Sequence, residues 1–239
     1  MKAFGITDIG KTRKTNQDYL FISEDAVGTL PNIYIVADGM GGHKAGEVAS
    51  KGAVQSMIQS LKNTSLRDPV SIMEEGVTAA NNKIFHMSRD NPEFEGMGTT
   101  LVVATVYENY FYVANIGDSR LYIVNDEIHQ ITRDHSYVEE MVSRGEIDKD
   151  SARTHAQKNV ITRAVGVETG TYADYFQVKY KKGDKILMCS DGLSNMIADD
   201  ELKGIVKKNI PLEQIVNELV YTANYNGGAD NITAIVVAL

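Results

Sequence analysis

Residues 99–124 of this chain read TTLVVATVYENYFYVANIGDSRLYIV, which is a series of three apolar runs joined by short turns. β-Branched and aromatic residues dominate the runs, as is typical of β-strands. Asn109 marks the first turn, and Gly117 with Asp118 marks the second. Because connections this short favour antiparallel neighbours, the stretch predicts an antiparallel arrangement. The predicted strands are 99–107, 110–115 and 120–124.

Strand-like and helical patterns alternate in blocks on both sides of this stretch. Three further strand-like runs precede a pair of amphipathic helices, and two more runs precede a second pair of helices and a last apolar strand. The additional predicted strands are 4–9, 19–23, 33–37, 176–180, 185–189 and 232–237. Blocks of strands followed by blocks of helices predict an α+β fold. We expect a four-layer α/β/β/α sandwich with two central, mostly antiparallel β-sheets flanked by helix pairs.

The stretch 136–170 differs in character from the rest of the chain. It is polar and rich in charge, with a short helical piece around residues 137–142. Because such segments in compact domains often border a functional site, we predict a mobile flap at 136–170. No long linker or internal repeat divides the sequence, so the simplest interpretation is a single domain over residues 1–239.

The composition is that of an ordinary globular protein, with 43% hydrophobic and 23% charged residues. A formal net charge of −8 argues against nucleic-acid binding, because no basic field would offset a phosphate backbone. The single cysteine, Cys189, excludes an intrachain disulfide and fits a reducing compartment. The first residues lack the apolar core of a signal peptide, and no run is long enough to span a bilayer, so we expect a cytoplasmic protein without membrane insertion.

Four aspartates stand where an apolar, strand-like run meets a turn. Asp38, Asp118 and Asp191 follow such runs, and Asp230 precedes one. Since strand ends and strand starts share an edge of an antiparallel sheet, we expect the four carboxylates to converge there. Carboxylates in such a cluster repel one another unless a cation lies among them, and hard divalent cations such as Mg²⁺ and Mn²⁺ take oxygen ligands. The pattern predicts a metal-dependent hydrolase.

Two polar segments supply further candidate site residues. Arg13 is a candidate phosphate clamp, because its guanidinium forks onto phosphate oxygens, and Asp18 is a candidate for holding a metal-bound water. The alternative for both is a polar hairpin turn. Gly39 would let its carbonyl approach a cation closely, and His43 is a candidate proton donor to a leaving alkoxide. The alternative there is a glycine-rich turn before a helix, whereas the glycine spacing argues against a nucleotide-phosphate loop.

Other hydrolytic sites fit the chain poorly. A cysteine-dependent phosphatase needs an arginine six residues after its nucleophile, and the residue six positions after Cys189 is Asn195. Cys189 is therefore interpreted as a small buried apolar residue on its strand. The five histidines are scattered and form no H-E-x-x-H motif, which argues against a zinc site.

Several fragments that are unspecific alone occur together in one order. They are Arg13 with Asp18, Asp38-Gly39, Gly98-Thr-Thr100, Gly117-Asp-Ser-Arg120, Thr132-Arg-Asp-His-Ser136, Ser190-Asp-Gly192 and Asp230-Asn-Ile-Thr233. In this order and setting the chain resembles the protein phosphatase 2C-like family, the metal-dependent Ser/Thr protein phosphatases. The resemblance covers essentially the whole chain. The form Asp38-Gly-Met-Gly-Gly-His43 and the minimal length resemble the bacterial branch.

The resemblance implies a single phosphatase catalytic domain with a binuclear Mn²⁺ or Mg²⁺ centre. Asp38 would bridge both ions, and the Gly39 carbonyl would bind one of them. Asp191 and Asp230 would bind the other ion. In bacterial members a third, weaker ion uses the positions of Asp118 and Asp191.

The resemblance also assigns roles outside the metal ligands. Arg13 would bind the substrate phosphate, Asp18 would hold a metal-bound water, and His43 aligns with the family's proposed acid. Gln17 stands where many eukaryotic members have a glutamate in the outer metal shell.

The implied activity is hydrolysis of phosphoserine and phosphothreonine in phosphorylated proteins by a metal-activated water, opposing a Ser/Thr protein kinase. We expect a monomer. The alternative is a catalytically inactive module that keeps the fold as a docking surface, but the presence of Asp38, Asp191 and Asp230 together favours the enzyme. A nucleotide hydrolase of another fold is a third possibility, for which the chain shows no base-recognition signature.

Overall fold

Two antiparallel β-sheets pack face to face and carry helices on their outer faces. The structure, a computed structural model, describes residues 1–42 and 44–239, leaving aside the side chains of residues 149 and 150. The strands are β1 (Lys2–Asp8), β2 (Asp18–Ser23), β3 (Ile33–Met40), β4 (Gly98–Thr99), β5 (Leu101–Tyr107), β6 (Tyr110–Ile116), β7 (Arg120–Val124), β8 (Ile128–Gln130), β9 (Asp174–Lys179), β10 (Lys185–Cys189) and β11 (Ile232–Ala238). The helices are α1 (Ala45–Asn63), α2 (Pro69–Asp90), α3 (Tyr137–Ser143), α4 (Lys149–Thr154), α5 (Asp191–Ser194), α6 (Asp199–Val206) and α7 (Leu212–Tyr225).

The strand order explains how one sheet edge collects residues from distant parts of the chain. One sheet has the order β1-β11-β10-β7-β8 and the other β2-β3-β5-β6-β9, with β4 paired to the end of β3. Every pairing between these strands is antiparallel. The predicted α+β sandwich with two central antiparallel sheets is therefore confirmed.

The hydrophobic core has three layers, and the alternation of side chains along single strands divides residues among them. In β3, Tyr34 and Val36 face the core between the sheets, whereas Ile35 and Ala37 pack against α1 and α2. In β10, Leu187 and Cys189 pack against α5, α6 and α7 on the other side. Burying a large apolar side chain contributes roughly 1.5–3 kcal/mol, so each strand is held from both faces.

The central stretch does not form one continuous meander. β5 and β6 pair as predicted, but β6 and β7 lie in different sheets, so the predicted pairing of 110–115 with 120–124 is wrong. The chain turns a corner at Gly117, whose φ of 101° favours glycine. A Cβ there would lie 2.6 Å from the Thr100 Cγ2 atom. Because both strands are apolar on both faces, their pattern alone does not say which sheet each one joins.

Several boundaries also differ from the sequence prediction. The strand predicted over 99–107 is split, because Gly98–Thr99 pairs with the end of β3 and the main strand begins at Leu101. The second helix block contains the short helix α5 before the two predicted helices. Neither the three-residue strand β8 nor the one-and-a-half-turn helix α4 has an apolar period long enough to be recognised.

The segment 136–170 contains α3 and α4 and then a loop that returns to the sheet. Ser136 pairs with Ile161, and Thr99 pairs with Val165, through isolated β-bridges. The predicted helical piece around 137–142 is confirmed by α3, while the motion of the flap stays a prediction. None of the helices in the described parts of the chain combines the length and apolar character that a bilayer crossing requires.

Candidate metal centre

The ends of several strands meet at one edge and form an acidic cavity of about 250 Å³. Asp38 lies near the end of β3, opposite Asp18 at the start of β2. Asp191 follows β10, and Asp230 precedes β11. Asp118 lies in the corner between β6 and β7, and the four predicted metal ligands Asp38, Asp118, Asp191 and Asp230 all line the cavity.

The backbone around Asp38 is fixed by two threonines that follow one another in the chain. The Asp38 N–H donates to Thr100 Oγ1 at 2.9 Å, and the Asp38 carbonyl accepts from the Thr100 N–H at 2.8 Å and from Thr99 Oγ1 at 2.9 Å. Thr100 Oγ1 also lies 2.8 Å from Ser119 Oγ, next to Asp118. This network connects the strand that carries Asp38 to the corner that carries Asp118.

Burial and mutual repulsion make the charged form of these carboxylates costly. Burial, followed by the charges of Asp18 and Asp191, raises the pKa of Asp38 well above its ordinary value. Burial and the charge of Asp191 likewise raise the pKa of Asp118. Burial and Asp230 raise the pKa of Asp191 to about 6. A bound cation would reverse this effect, because it favours the ionised form of each ligand.

The carboxylates surround one cavity rather than one point. Within the described part of the chain, no three acidic, histidine or cysteine side chains already stand around a common centre as ligands of one ion. Two of the carboxylates are held by other side chains, since Asp230 Oδ2 accepts from Arg13 Nη2 at 2.7 Å and Asp191 Oδ2 accepts from Asn195 Nδ2 at 3.0 Å. The four aspartates therefore line one cavity, as the sequence predicts. Their carboxylate oxygens are not arranged around a single ion position, as the prediction of convergence on one point would require.

Asp18 is buried directly behind this cluster. Its Oδ2 atom accepts from the Ser190 hydroxyl at 2.7 Å and from the Thr233 hydroxyl at 2.6 Å. Burial raises the pKa of Asp18 to about 7 despite these two hydrogen bonds. The second oxygen, Oδ1, is buried without a hydrogen-bond partner among the described residues.

The donor set fits a hard divalent cation. The four lining carboxylates offer only oxygen atoms, as Mg²⁺ and Mn²⁺ prefer. Asp18 Oδ1 and Asp191 Oδ1 are both buried and lack a hydrogen-bond partner in the described structure. A buried polar atom without a partner is costly, so both atoms suit a cation or a water bound to one.

Gly39 lines the same cavity, and its surroundings require the absence of a side chain. A Cβ on Gly39 would lie 1.9 Å from the Gly46 carbonyl oxygen, and a Cβ on Gly46 would lie 2.7 Å from the Gly39 carbonyl oxygen. The Gly39 N–H donates to the Gln17 carbonyl at 3.0 Å. Strand β3 and the start of α1 therefore pack backbone against backbone, and Gly39 lines the cavity together with the carboxylates.

Arg13 stands at the rim of the cavity with its side chain about half exposed. Its guanidinium pairs with Asp230 and is the only cationic side chain of the described residues that line this cavity. A solvent-facing guanidinium above buried carboxylates is well placed to meet an anion that enters from solvent. His43, the remaining predicted site residue, lies outside the described residues.

Sequence reasoning assigned no role to the hydroxyl and amide groups that hold the acidic residues, although five of the six lie within the family fragments. They are Thr99, Thr100, Ser190, Asn195, Asn231 and Thr233. Asn231 also ties the start of β11 to the N-terminal part of the chain. It accepts from the Gln17 N–H and donates to the carbonyls of Ile9 and Thr15. Three of the six lie directly beside Gly98, Asp191 or Asp230, and this adjacency is the signal that could have identified them.

Comparisons with known proteins agree with this geometry. The family model described as protein phosphatase 2C matches residues 10–235. The serine/threonine phosphatase stp of Listeria monocytogenes serotype 4b is 39% identical over 236 residues, which cover 97% of this chain and 93% of that protein. The solved structure of the serine/threonine phosphatase Stp1 from Staphylococcus aureus matches with a TM-score of 0.93 and 34% identity, covering 100% of this chain and 94% of that one.

A further solved structure bears on the cavity itself. The catalytic domain of the serine threonine protein phosphatase PstP, in complex with two manganese ions, matches with a TM-score of 0.86 and 30% identity, covering 98% of this chain and 96% of that one. The family match extends from before Arg13 to beyond Asp230, so it includes the whole acidic cavity. The similarity predicted from the sequence motifs is confirmed, and the chain belongs to the protein phosphatase 2C family.

Proposed function

We propose that this chain is a metal-dependent phosphoprotein phosphatase that hydrolyses phosphoserine and phosphothreonine. The observation that carries the proposal is the cavity of four carboxylates with an arginine at its rim. Phosphate monoesters repel nucleophiles and hydrolyse extremely slowly without a catalyst. Carboxylates that bind cations, together with a cationic side chain that binds the phosphate, reduce the repulsion of the nucleophile and so accelerate hydrolysis.

Two Mn²⁺ or Mg²⁺ ions are the proposed cofactors. Asp38 would hold both ions, the Gly39 carbonyl would hold one, and Asp191 and Asp230 would hold the other. When bound, such a pair of ions activates a water as the nucleophile and neutralises charge on the phosphoryl oxygens. The buried and unpartnered Oδ1 atom of Asp18 supports a role in accepting a hydrogen bond from a water at this centre.

The protein side chains position the substrate. Arg13 donates from its guanidinium to the phosphate oxygens, which requires it to share or leave Asp230. Because the nucleophile is water, no covalent phosphoenzyme is needed. The buried position of Cys189 on β10 is in keeping with this, since burial raises the pKa of its thiol to about 12. The role of His43 as a proton donor to the leaving alkoxide stays a prediction.

A third, weaker ion is proposed between Asp118 and Asp191. Both residues line the acidic cavity and also a neighbouring cavity of about 260 Å³ that reaches α3 and α4. Asp191 would also hold a core ion, so an ion beside it would compete for one ligand and would bind less tightly. The segment 136–170 borders the neighbouring cavity and is proposed to act as the flap.

Further proposals follow from the reaction. Phosphorylated proteins are the substrates, and a Ser/Thr protein kinase is the enzyme class that must produce them. A monomer with one catalytic domain and a cytoplasmic location stay predictions from the sequence. A catalytically inactive module would be expected to have lost metal ligands. Asp38, Asp191 and Asp230 are all present and line the cavity, which favours the enzyme.

Phosphate release from a phosphothreonine peptide in isotopically labelled water tests the proposed function. With Mn²⁺ supplied, we expect released phosphate that carries one solvent oxygen, because water attacks phosphorus directly. A single-turnover sample quenched during the reaction should contain no phosphorylated protein. Absence of release at every Mn²⁺ concentration, with the peptide still bound, would instead establish the inactive module.

Arg13→Ala should weaken substrate binding more than it slows chemistry. Loss of one charge-assisted contact to phosphate is expected to raise KM about 10-fold, with a smaller change in kcat. Affinity for Mn²⁺ should stay the same or increase, because Arg13 competes with cations for Asp230. The measurements are steady-state kinetics on a phosphopeptide and calorimetric Mn²⁺ titration.

Lys14→Ala provides the matched control, since it removes an exposed positive charge from the same loop. Equal KM values for the two variants would show that Arg13 acts only through net charge. A loss of Mn²⁺ affinity in Arg13→Ala would place Arg13 in a structural role at Asp230.

A further inference from the structure

His135 binds both backbone polar groups of Gly117, the residue that precedes Asp118. Its backbone N–H donates to the Gly117 carbonyl at 2.9 Å, and its side-chain Nδ1 atom accepts from the Gly117 N–H at 3.1 Å. Gly117 has positive φ and is packed against Thr100, so the corner has little room to adjust. His135 is therefore in direct contact with the corner that presents Asp118 to Asp191.

The neighbours of the His135 ring determine which nitrogen carries the proton. The Nδ1 atom faces an N–H donor, so it must be the unprotonated nitrogen. The Nε2 atom lies 3.2 Å from Asp174 Oδ2, which is an acceptor, so the Nε2–H donates to that carboxylate. Arg163 Nη1, 3.1 Å from Nε2, donates to Asp174 Oδ1 at 2.8 Å. Burial lowers the pKa of His135, which favours the same neutral ring.

The contacts of His135 also reach the segment that borders the site. Its carbonyl accepts from the Thr162 N–H at 2.8 Å. Arg163, the residue after Thr162, donates to Asp174, as the His135 ring does. The Arg163 guanidinium also stacks over Tyr172, with its Cζ atom 4.1 Å from the centroid of the Tyr172 ring. Asp174 is the first residue of β9. One histidine thus joins the Asp118 corner to the returning part of the segment 136–170.

We infer that His135 is a positioning residue for Asp118, and that it acts through its unprotonated Nδ1 atom and the Gly117 N–H while Asp174 holds its Nε2–H. No hydrogen bond within the described residues joins His135 to a carboxylate of the cavity; His135 instead holds Gly117, the residue before Asp118, through both of its backbone polar groups. The inference rests on the proposed function, because its consequence is a change in the weaker ion proposed at Asp118 and Asp191. Removing groups that orient a metal ligand typically lowers metal affinity by about 10- to 100-fold.

Two variants of His135 separate the proposed contact from the loss of side-chain volume. His135→Asn places an amide oxygen near the position of Nδ1 and can still accept from Gly117, whereas His135→Gln places its amide near the position of Nε2. Calorimetric Mn²⁺ titration should show the weaker ion bound about 10-fold less tightly in His135→Gln, and within about 3-fold of the parent protein in His135→Asn. The two tighter ions should be unchanged in both variants.

Asp118→Asn makes failure of the inference distinguishable from failure of the proposed function. It should abolish the weaker ion, and adding His135→Gln to it should cause no further change in ion binding. If Asp118→Asn removes the weaker ion and His135→Gln leaves it intact, the role of His135 is overturned and the ligand assignment stands. If Asp118→Asn leaves the weaker ion intact, the ligand assignment fails, and the role of His135 toward that ion fails with it.

A nitrogen-15 NMR spectrum of the histidine ring nitrogens in metal-free protein gives a reading that does not depend on turnover. We expect His135 to be neutral with its proton on Nε2. As a control, His129→Ala removes an exposed histidine and should leave the His135 signals unchanged. In Asp174→Asn the preference for this tautomer should weaken. A proton on Nδ1 in the parent protein would overturn the inference, as would equal loss of the weaker ion in His135→Asn and His135→Gln.

Discussion

Asp38→Asn should abolish phosphatase activity while the metal-free protein becomes more resistant to heat. The substitution keeps the shape of the side chain but removes the charge proposed to bridge two cations, so turnover should fall by at least about 1000-fold, or ~4 kcal/mol in the barrier. The same charge is buried beside Asp18 and Asp191 and is repelled by both. Each kcal/mol of repulsion removed should raise the Tm of a domain of this size by about 2–4 °C.

Asp25→Asn is the matched control, because it removes an exposed carboxylate two residues after the end of β2, outside the lining of the cavity. Its activity and its melting temperature should equal those of the parent protein. The measurements are phosphate release with saturating Mn²⁺ and thermal unfolding in chelator. Substantial activity in Asp38→Asn would remove this residue from the metal centre, and a lower Tm in chelator would contradict the proposed repulsion within the cluster.

The positions of the acidic residues were predictable from the sequence because strand ends are easy to recognise. Asp38, Asp191 and Asp230 each stand at the border of a long apolar run. Because neighbouring antiparallel strands alternate in direction, the end of one strand and the start of the next lie at the same edge of the sheet. The four-layer fold follows from the same runs, since strands that are apolar on both faces need cover on both sides. The family motifs predicted the family, and the family match over 10–235 confirms it, while the roles of the individual site residues stay predictions.

The corner at Gly117 was not predictable from local pattern. A short turn with glycine and aspartate is typical of hairpins, and only the tertiary packing of Gly117 against Thr100 shows that the chain passes from one sheet to the other. The same reason applies to His135, whose positioning role depends on tertiary contacts with Gly117 and Asp174. Contacts between residues distant in sequence leave no periodic signal.

The hydroxyl groups around the acidic residues illustrate a second limit. Ser190 and Thr233 both donate to Asp18, although 43 positions separate them in the sequence. A serine or threonine at a strand border is common, so its type carries little information until the partner is known. The structure supplies the partner, and with it the reason why one oxygen of Asp18 is satisfied and the other is left for a different ligand.

Removal of divalent metal should eliminate activity, and Mn²⁺ should restore it. The acidic cavity contains one cationic side chain among its described lining residues, Arg13, which is too little charge to stabilise a phosphoryl group next to four carboxylates. Stripped protein assayed in chelator should therefore release no phosphate from a phosphothreonine peptide. Activity should return with Mn²⁺ and, less fully, with Mg²⁺, whereas Ca²⁺ should bind without supporting turnover because it is larger and activates bound water less.

Thermal unfolding separates ion binding from catalysis in the same experiment. An ion that binds only the folded protein stabilises it by about 2.7 kcal/mol at 100 times its dissociation constant, so Mn²⁺ and Ca²⁺ should both raise the Tm of the parent protein. Both increases should be much smaller in Asp38→Asn, since that variant lacks the proposed bridging ligand. Full activity in excess chelator would refute the metal-dependent mechanism. Stabilisation by Mn²⁺ that is equal in Asp38→Asn and in the parent protein would place the ions elsewhere, because the repulsion around Asp38 is the physical reason for expecting them in this cavity.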